Sequence, residues 1–115
     1  VVFTASISGY NNVAPANGIY GTSKSALSTY MKYAALELAG KGIRCNAVQP
    51  GRINTPLISN RLLSEEDVTK DIEQYPMKRY GKPEEVAHAI IYLLSDASAW
   101  VTGTNLVIDG GRSLK

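Results

Sequence analysis

The chain opens on an apolar, β-branched run, Val1-Val2-Phe3-Thr4-Ala5-Ser6, which predicts a buried strand. Ser8-Gly9-Tyr10-Asn11-Asn12, then Pro15, Asn17 and Gly18, is turn and loop chemistry. From Ile19 to Ala39 the period becomes helical: Leu27, Tyr30, Met31, Ala34, Ala35 and Leu38 fall on one stripe. Gly40 and Gly42 supply the stop, since glycine tolerates the left-handed backbone that ends a helix. Ala26, Tyr33 and Leu36 carry the apolar surface beyond that stripe. Such a helix is either central in its domain or packed against another subunit.

Ile43 to Val48 predicts a second strand, closed by Pro50-Gly51. Residues 52–81 are polar and broken by Pro56, Pro76 and Gly81. Within them Ser64, followed by Glu65, Glu66 and Asp67, predicts a short helix, because a serine cap and early acids satisfy its free amides. Pro83 with Glu84 and Glu85 opens another, with Val86, Ala87, Ile90, Ile91, Leu93 and Leu94 as its apolar face, ending near Ser95-Asp96. Leu106-Val107-Ile108 is a last strand before Asp109-Gly110-Gly111.

The order strand-helix-strand-helices-strand predicts an α/β fold, with right-handed crossovers onto a parallel sheet covered on both faces. Three strands make a thin sheet, and an apolar first strand would leave an unpaired edge. The first residues lack the basic and long apolar stretches of a signal peptide. A start inside a strand predicts a chain cut from something longer.

Composition narrows the classes. The 115 residues hold 44% hydrophobic and 19% charged side chains, enough for a packed core. A net charge of +2, with Lys and Arg scattered, gives no nucleic-acid or membrane surface. No apolar run approaches the ~20 residues that span a bilayer. One cysteine allows neither an internal disulfide nor a cysteine-based metal site, in keeping with a reducing compartment.

Candidate chemistry gathers at one edge. Tyr20 and Lys24 stand four apart at the start of a helix and share a face. A phenol ordinarily holds its proton to about pH 10, and an ammonium group beside it favours the phenolate. Tyr-x-x-x-Lys can thus act as an acid/base unit. Ser6 ends the strand leading toward that helix, and the next strand ends at Pro50-Gly51. Open α/β sheets place their sites at such carboxyl ends.

The sequence resembles the classical short-chain dehydrogenases/reductases through Ser6-Ile7-Ser8-Gly9, Tyr20-Gly21-Thr22-Ser23-Lys24, Ile43 through Gly51, Arg52-Ile53-Asn54-Thr55-Pro56, Gly81 through Ala87, and Thr102-Gly103 through Gly111. The match runs along essentially the whole chain. It falls with the 3-oxoacyl-carrier-protein reductase-like branch and the sugar or steroid alcohol dehydrogenases.

The resemblance implies the C-terminal half of a Rossmann-type doubly wound parallel sheet, residues 1–115 being part of one NAD(P)-binding domain. It implies hydride transfer between NAD or NADP and a small carbonyl or secondary alcohol, in a cytoplasmic homodimer or homotetramer. Tyr20 would be the acid/base. Lys24 would hold the nicotinamide ribose and assist the tyrosine. Of the two candidate serines, Ser6 and Ser8, the family pattern selects Ser6, three before the turn glycine, to bond the substrate oxygen, and leaves Ser8 as a turn residue. Pro50, Gly51, Ile53 and Thr55 would line the nicotinamide.

The family's glycine-rich pyrophosphate turn and its tetrad asparagine have no counterpart here; Asn11, Asn12 and Asn17 lie in the wrong segment. The nucleotide-binding half is therefore expected to be missing, and this chain alone to be inactive. The rival reading is a non-catalytic remnant or pseudoenzyme acting through subunit packing. Ser6, Tyr20 and Lys24 together speak against it.

The remaining residues draw structural readings. His88 reads as a packed or partly exposed histidine rather than a metal ligand, and Cys45 as a small apolar residue. Asp109-Gly110-Gly111 reads as a turn or a subunit-packing segment, and Tyr30, Tyr33 and Trp100 as core or interface. Tyr75, Met77 and Tyr80 are candidates for a mobile substrate lid.

Overall fold

Three strands, Val2–Thr4 (β1), Asn46–Pro50 (β2) and Asn105–Ile108 (β3), pair in parallel in the order β1-β2-β3. Val2 stands opposite Asn46, and Ala47 opposite Asn105. The helices are Gly18–Ala39 (α1), Pro56–Ser59 (α2), Glu65–Glu73 (α3) and Pro83–Leu94 (α4). This computed structural model describes residues 1–10, 12–59 and 64–115. Asn11 of the first loop therefore lies outside the described residues, as do residues 60–63 of the polar middle segment.

Alternation along β2 sends Cys45, Ala47 and Gln49 to one face and Asn46 and Val48 to the other. On the first face Ala5, Cys45 and Ala47 pack against Met31, Ala34 and Ala35 of α1, with Phe3 and Leu38 alongside. Small side chains on both surfaces bring α1 close to the sheet. On the second face the Asn46 Nδ2 donates to the Val101 carbonyl, and the Arg44 guanidinium donates to the carbonyls of Leu93, Ser95 and Val101. Arg44 thus satisfies carbonyls that the end of α4 leaves without helical partners. Both faces are covered, as the α/β reading requires.

Both connections step the same way across the sheet, yet α1 and α4 lie on opposite faces. The two crossovers are therefore of opposite hand, and the expectation of right-handed crossovers throughout fails for one of them. The chirality rule describes a strand feeding one helix directly back onto the sheet. The second connection instead runs from Gly51 to Thr104 and, among the described residues, passes through α2, α3, α4 and a 3-10 turn, Asp96–Ser98.

Element boundaries shift for local reasons. β1 ends at Thr4 because the chain leaves the strand direction at a 3-10 turn, Ile7–Gly9, which the extended Ser6 caps with its hydroxyl. β2 begins at Asn46 rather than Ile43, since the Cys45 amide donates to the Thr102 hydroxyl oxygen instead of to a strand, and it continues through Pro50. Gly42 takes the left-handed conformation expected at the end of α1, whereas Gly40 stays right-handed. The Ser64 cap is found: its Oγ accepts the Asp67 amide at 3.1 Å.

Of the α1 stripe, Met31, Ala34 and Ala35 are buried, while Tyr30 lies exposed with its ring edge-on to Phe3. Tyr33, Leu36 and Trp100 are exposed, so within this chain none of them is core. Cys45 is buried and His88 exposed. No helix among the described residues is long and apolar enough to cross a membrane.

Candidate active site

Parallel strands put all their carboxyl ends at one rim, so Ser6, Gly51 and Asp109 share an edge of the sheet. Ser6 has extended backbone and its Oγ accepts the Ser8 amide at 3.2 Å, capping the 3-10 turn. It is only 7% exposed. The turn lies hard against α1. A Cβ on Gly9 would stand 2.5 Å from the Ser25 nitrogen and 2.6 Å from the Lys24 carbonyl carbon. A Cβ on Gly21 would stand 2.9 Å from the Ser8 carbonyl oxygen. The Ser25 Oγ donates to the Gly9 carbonyl across this contact.

Tyr20 and Lys24 occupy the first turns of α1, on the face that meets β1. The Lys24 Nζ donates to the Thr4 carbonyl at 2.9 Å and stands 5.8 Å from the centre of the Tyr20 ring. A strand-end carbonyl therefore orients the ammonium group beside the phenol. Tyr20 is 47% exposed, open to a small molecule at the rim. One turn further along α1, Ser28 accepts the Gln49 Nε2 at 3.1 Å, joining the helix to the end of β2. Gln49 is buried, and its Oε1 has no partner among the described residues.

The segment expected to line the nicotinamide follows β2 directly. The Gly51 amide donates to the Ile108 carbonyl at 2.9 Å, and a Cβ there would stand 2.9 Å from Asp109 Cβ. Gly51 is thus required by packing between strand ends. Arg52 and Asn54 pair with Gly81: the Gly81 amide donates to the Arg52 carbonyl at 3.1 Å, and the Asn54 amide to the Gly81 carbonyl at 2.8 Å. In a parallel bridge of this kind the intervening residue, Ile53, turns its own amide and carbonyl away from the pairing partner. Thr55 stands at the entrance to α2, where its carbonyl accepts the Ile58 amide at 2.9 Å. Asp109 accepts the amides of Gly111 and Ser113, and Gly110 and Gly111 both have positive φ, which makes this segment a turn.

Tyr75 and Tyr80 are anchored, contrary to the expectation of a mobile lid. The Tyr75 hydroxyl accepts the Arg52 amide at 3.2 Å, and the Tyr80 hydroxyl donates to Asp71 at 2.7 Å. Asp71 also forms an ion pair with Arg52, tying α3 to the chain just past β2. The two rings meet edge to face. Burial pushes the Tyr75 hydroxyl above its ordinary pKa; burial and the bond to Asp71 do the same for Tyr80. Met77 alone of the three is exposed.

The structure thus brings Ser6, Tyr20 and Lys24 to one helix-turn contact, and sets Pro50, Gly51, Ile53 and Thr55 in sequence along the neighbouring strand end. Sequence reasoning used Gly9 only to place Ser6 and gave Gly21 and Ser25 no role, whereas all three let the turn approach the helix. The only available signal was the pair of small residues at either side of the contact. It also missed the Arg52–Asp71 pair, whose spacing follows no period. Among the described residues, no three His, Cys, Asp or Glu side chains gather to hold a metal ion.

The protein family described as enoyl-(acyl carrier protein) reductase matches residues 1–113. Cyclohexanol dehydrogenase of Acinetobacter sp. (strain SE19) is 42% identical over 115 residues, covering 100% of this chain and 43% of that protein. A short-chain type dehydrogenase/reductase from Mycobacterium ulcerans superimposes with a TM-score of 0.92 at 37% identity, over 99% of this chain and 41% of the other. A 4-hydroxyisoleucine dehydrogenase complexed with NADH gives 0.94 at 32% identity, over 99% and 46%. The chain spans less than half the length of these proteins.

Proposed function

The chain belongs to the short-chain dehydrogenase/reductase family, and on that premise we propose that it is the C-terminal, reaction-bearing part of an NAD(P)-dependent oxidoreductase. The complete protein would interconvert a carbonyl and a secondary alcohol. The family is one of oxidoreductases, and a structural relative binds NADH.

The residues present fit a nicotinamide riboside. The rim offers the Lys24 ammonium, the exposed Tyr20 phenol, and the Ile53 amide turned away from its bridge. Ribose hydroxyls and a carboxamide accept from donors of this kind. Lys24 and Tyr20 would hold the ribose, and Pro50, Gly51, Ile53 and Thr55 the nicotinamide end. The cofactor, when bound, supplies the hydride chemistry.

Tyr20 gives its phenolic proton to the substrate oxygen during reduction and takes it back during oxidation. Lys24, held by the Thr4 carbonyl, presents positive charge where phenolate character develops. Ser6 uses one acceptor position on the Ser8 amide, and its hydroxyl proton is assigned to the substrate oxygen. The observation that carries this reading is the Lys24 ammonium beside the Tyr20 ring, at the contact that also holds the Ser6 turn.

The test is Tyr20→Phe in the complete protein, following nicotinamide absorbance with cyclohexanol, a sugar, a steroid and an acyl thioester. Turnover should fall by about 10²–10⁴-fold, with a much smaller loss of NAD(P)H affinity from the missing ribose contact. Unchanged turnover would remove the tyrosine mechanism. The same reading takes the uncovered side of α1, with Tyr33 and Leu36, as a subunit contact giving a homodimer or homotetramer. A complete protein that sediments as a monomer would remove that part.

A further inference from the structure

We propose that Ser25 is a positioning residue for the acid/base pair: its hydroxyl clamps the Ser6–Gly9 turn onto α1 at Lys24, and so sets where Ser6 stands relative to Tyr20. The inference rests on the reading that Ser6, Tyr20 and Lys24 carry the chemistry. It assigns a residue that itself meets neither substrate nor cofactor.

Three observations point the same way. First, turn and helix touch backbone to backbone at Gly9, where even a methyl group would stand 2.5 Å from the Ser25 nitrogen. Second, the Ser25 hydroxyl does not do what a helical serine ordinarily does. Helical Ser and Thr commonly bond back to a carbonyl one turn earlier, as Ser23 does to Tyr20 and Thr69 to Glu65. Ser25 reaches sideways to the Gly9 carbonyl, sixteen residues away in sequence. Gly9 is the last residue of its 3-10 turn, so that carbonyl has no helical donor of its own. Third, Ser25 directly follows Lys24, so the clamp lies beside the residue whose ammonium neighbours the phenol.

The covalent path from Ser6 to Tyr20 runs through a loop that includes Ala16 in a left-handed conformation. The Ser25–Gly9 bond joins the Ser6 turn to α1 directly, without passing through that loop. Misplacement of a reacting group by about 1 Å can cost as much as 10²-fold in rate. Loss of one hydroxyl that does no chemistry is expected to lower kcat with little effect on what the site binds.

The experiment compares wild type, Ser25→Ala, Ser25→Thr and Tyr20→Phe in the complete protein. The probes are cyclohexanol with NAD⁺ or NADP⁺ and acetoacetyl-coenzyme A with NADH or NADPH. For Ser25→Ala we expect kcat to fall about tenfold, with KM, NAD(P)H affinity and the thermal midpoint near wild type. Ser25→Thr, which keeps a hydroxyl, should recover most of the loss. Wild-type kcat in Ser25→Ala, alongside an inactive Tyr20→Phe, overturns the clamp and leaves the acid/base reading standing. An active Tyr20→Phe overturns that reading and the inference with it. A kcat loss matched by a lowered thermal midpoint marks a structural role and also overturns the clamp. If wild type turns over neither probe, amide exchange across residues 5–10 decides. Faster exchange in Ser25→Ala but not in Ser25→Thr supports the clamp, and unchanged exchange overturns it.

Discussion

Gly51 was expected to matter because it lines a cofactor, and the structure gives it a second reason to be glycine. Its missing side chain is the space in which the ends of β2 and β3 meet, with Asp109 Cα and Cβ at 3.0 and 2.9 Å from where a methyl would sit. Neither neighbour is the tip of a flexible side chain, so an added methyl must push strand ends apart. Gly51→Ala is expected to destabilise the complete protein by about 1–3 kcal/mol, read by urea unfolding without nucleotide. Undiminished stability together with weakened NAD(P)H binding would return Gly51 to a purely cofactor-lining role. Gly9 obeys the same rule at the end of β1, against α1. At both sites the demand for glycine comes from close approach.

Among the elements, α4 shows how its first turn is set by charge. The Lys82 amide donates to Glu85 Oε2 at 2.7 Å, and Arg79 holds both oxygens of the same carboxylate. Arg79, and then the Lys82 amide, lower the Glu85 pKa from 4.5 to about 2. A carboxyl whose pKa is lowered on folding stabilises the fold above its unfolded value, and that contribution disappears as pH falls from about 4.5 to about 2. Wild type should therefore melt above Glu85→Gln at pH 7, and the gap should close as pH falls through that window. A gap independent of pH would remove the carboxylate from the account.

Such local devices were partly legible in the sequence. The α1 stripe and the Ser64 cap could be read because helical period and capping chemistry are local, and Tyr20 and Lys24 because four residues is one helical turn. The start of β2 was misplaced because Ile43 and Cys45 alternate with polar residues as a strand does, while the Thr102 hydroxyl that takes the Cys45 amide lies 57 residues away. The opposite hand of the second crossover and the Arg52–Asp71 tie, nineteen residues apart, were invisible for the same reason. Tyr75 and Tyr80 looked mobile in a polar segment because nothing local marks Arg52 and Asp71 as their partners. Ser6 entered through a motif, and the contact that holds it entered only through the fold.

At the scale of the whole molecule, β1 is the informative strand. Among the described residues it pairs on one side only, with β2, through the Val1 carbonyl and the Ala5 amide. In a strand these alternate with groups that point the other way, so Val2 and Thr4 direct theirs outward. The Thr4 carbonyl is taken by Lys24, which blunts the edge at its site end. The Val2 end has no such cover from Lys24, and an apolar edge strand of this kind is a template for pairing with further chain. The relatives are more than twice as long as this chain, and the proposed function makes it one part of a longer oxidoreductase. Amide exchange at Val2 and Thr4 is the direct measurement. If the complete protein places another strand beside β1, these amides should exchange about a hundredfold or more slowly there than in the 115-residue chain alone. The isolated chain should also give no nicotinamide-dependent turnover under conditions in which the complete protein does. Equal exchange at both positions would leave β1 as the outer strand of the finished sheet. Turnover by the isolated chain would place the whole catalytic apparatus within these residues and remove the division of labour proposed for the fold.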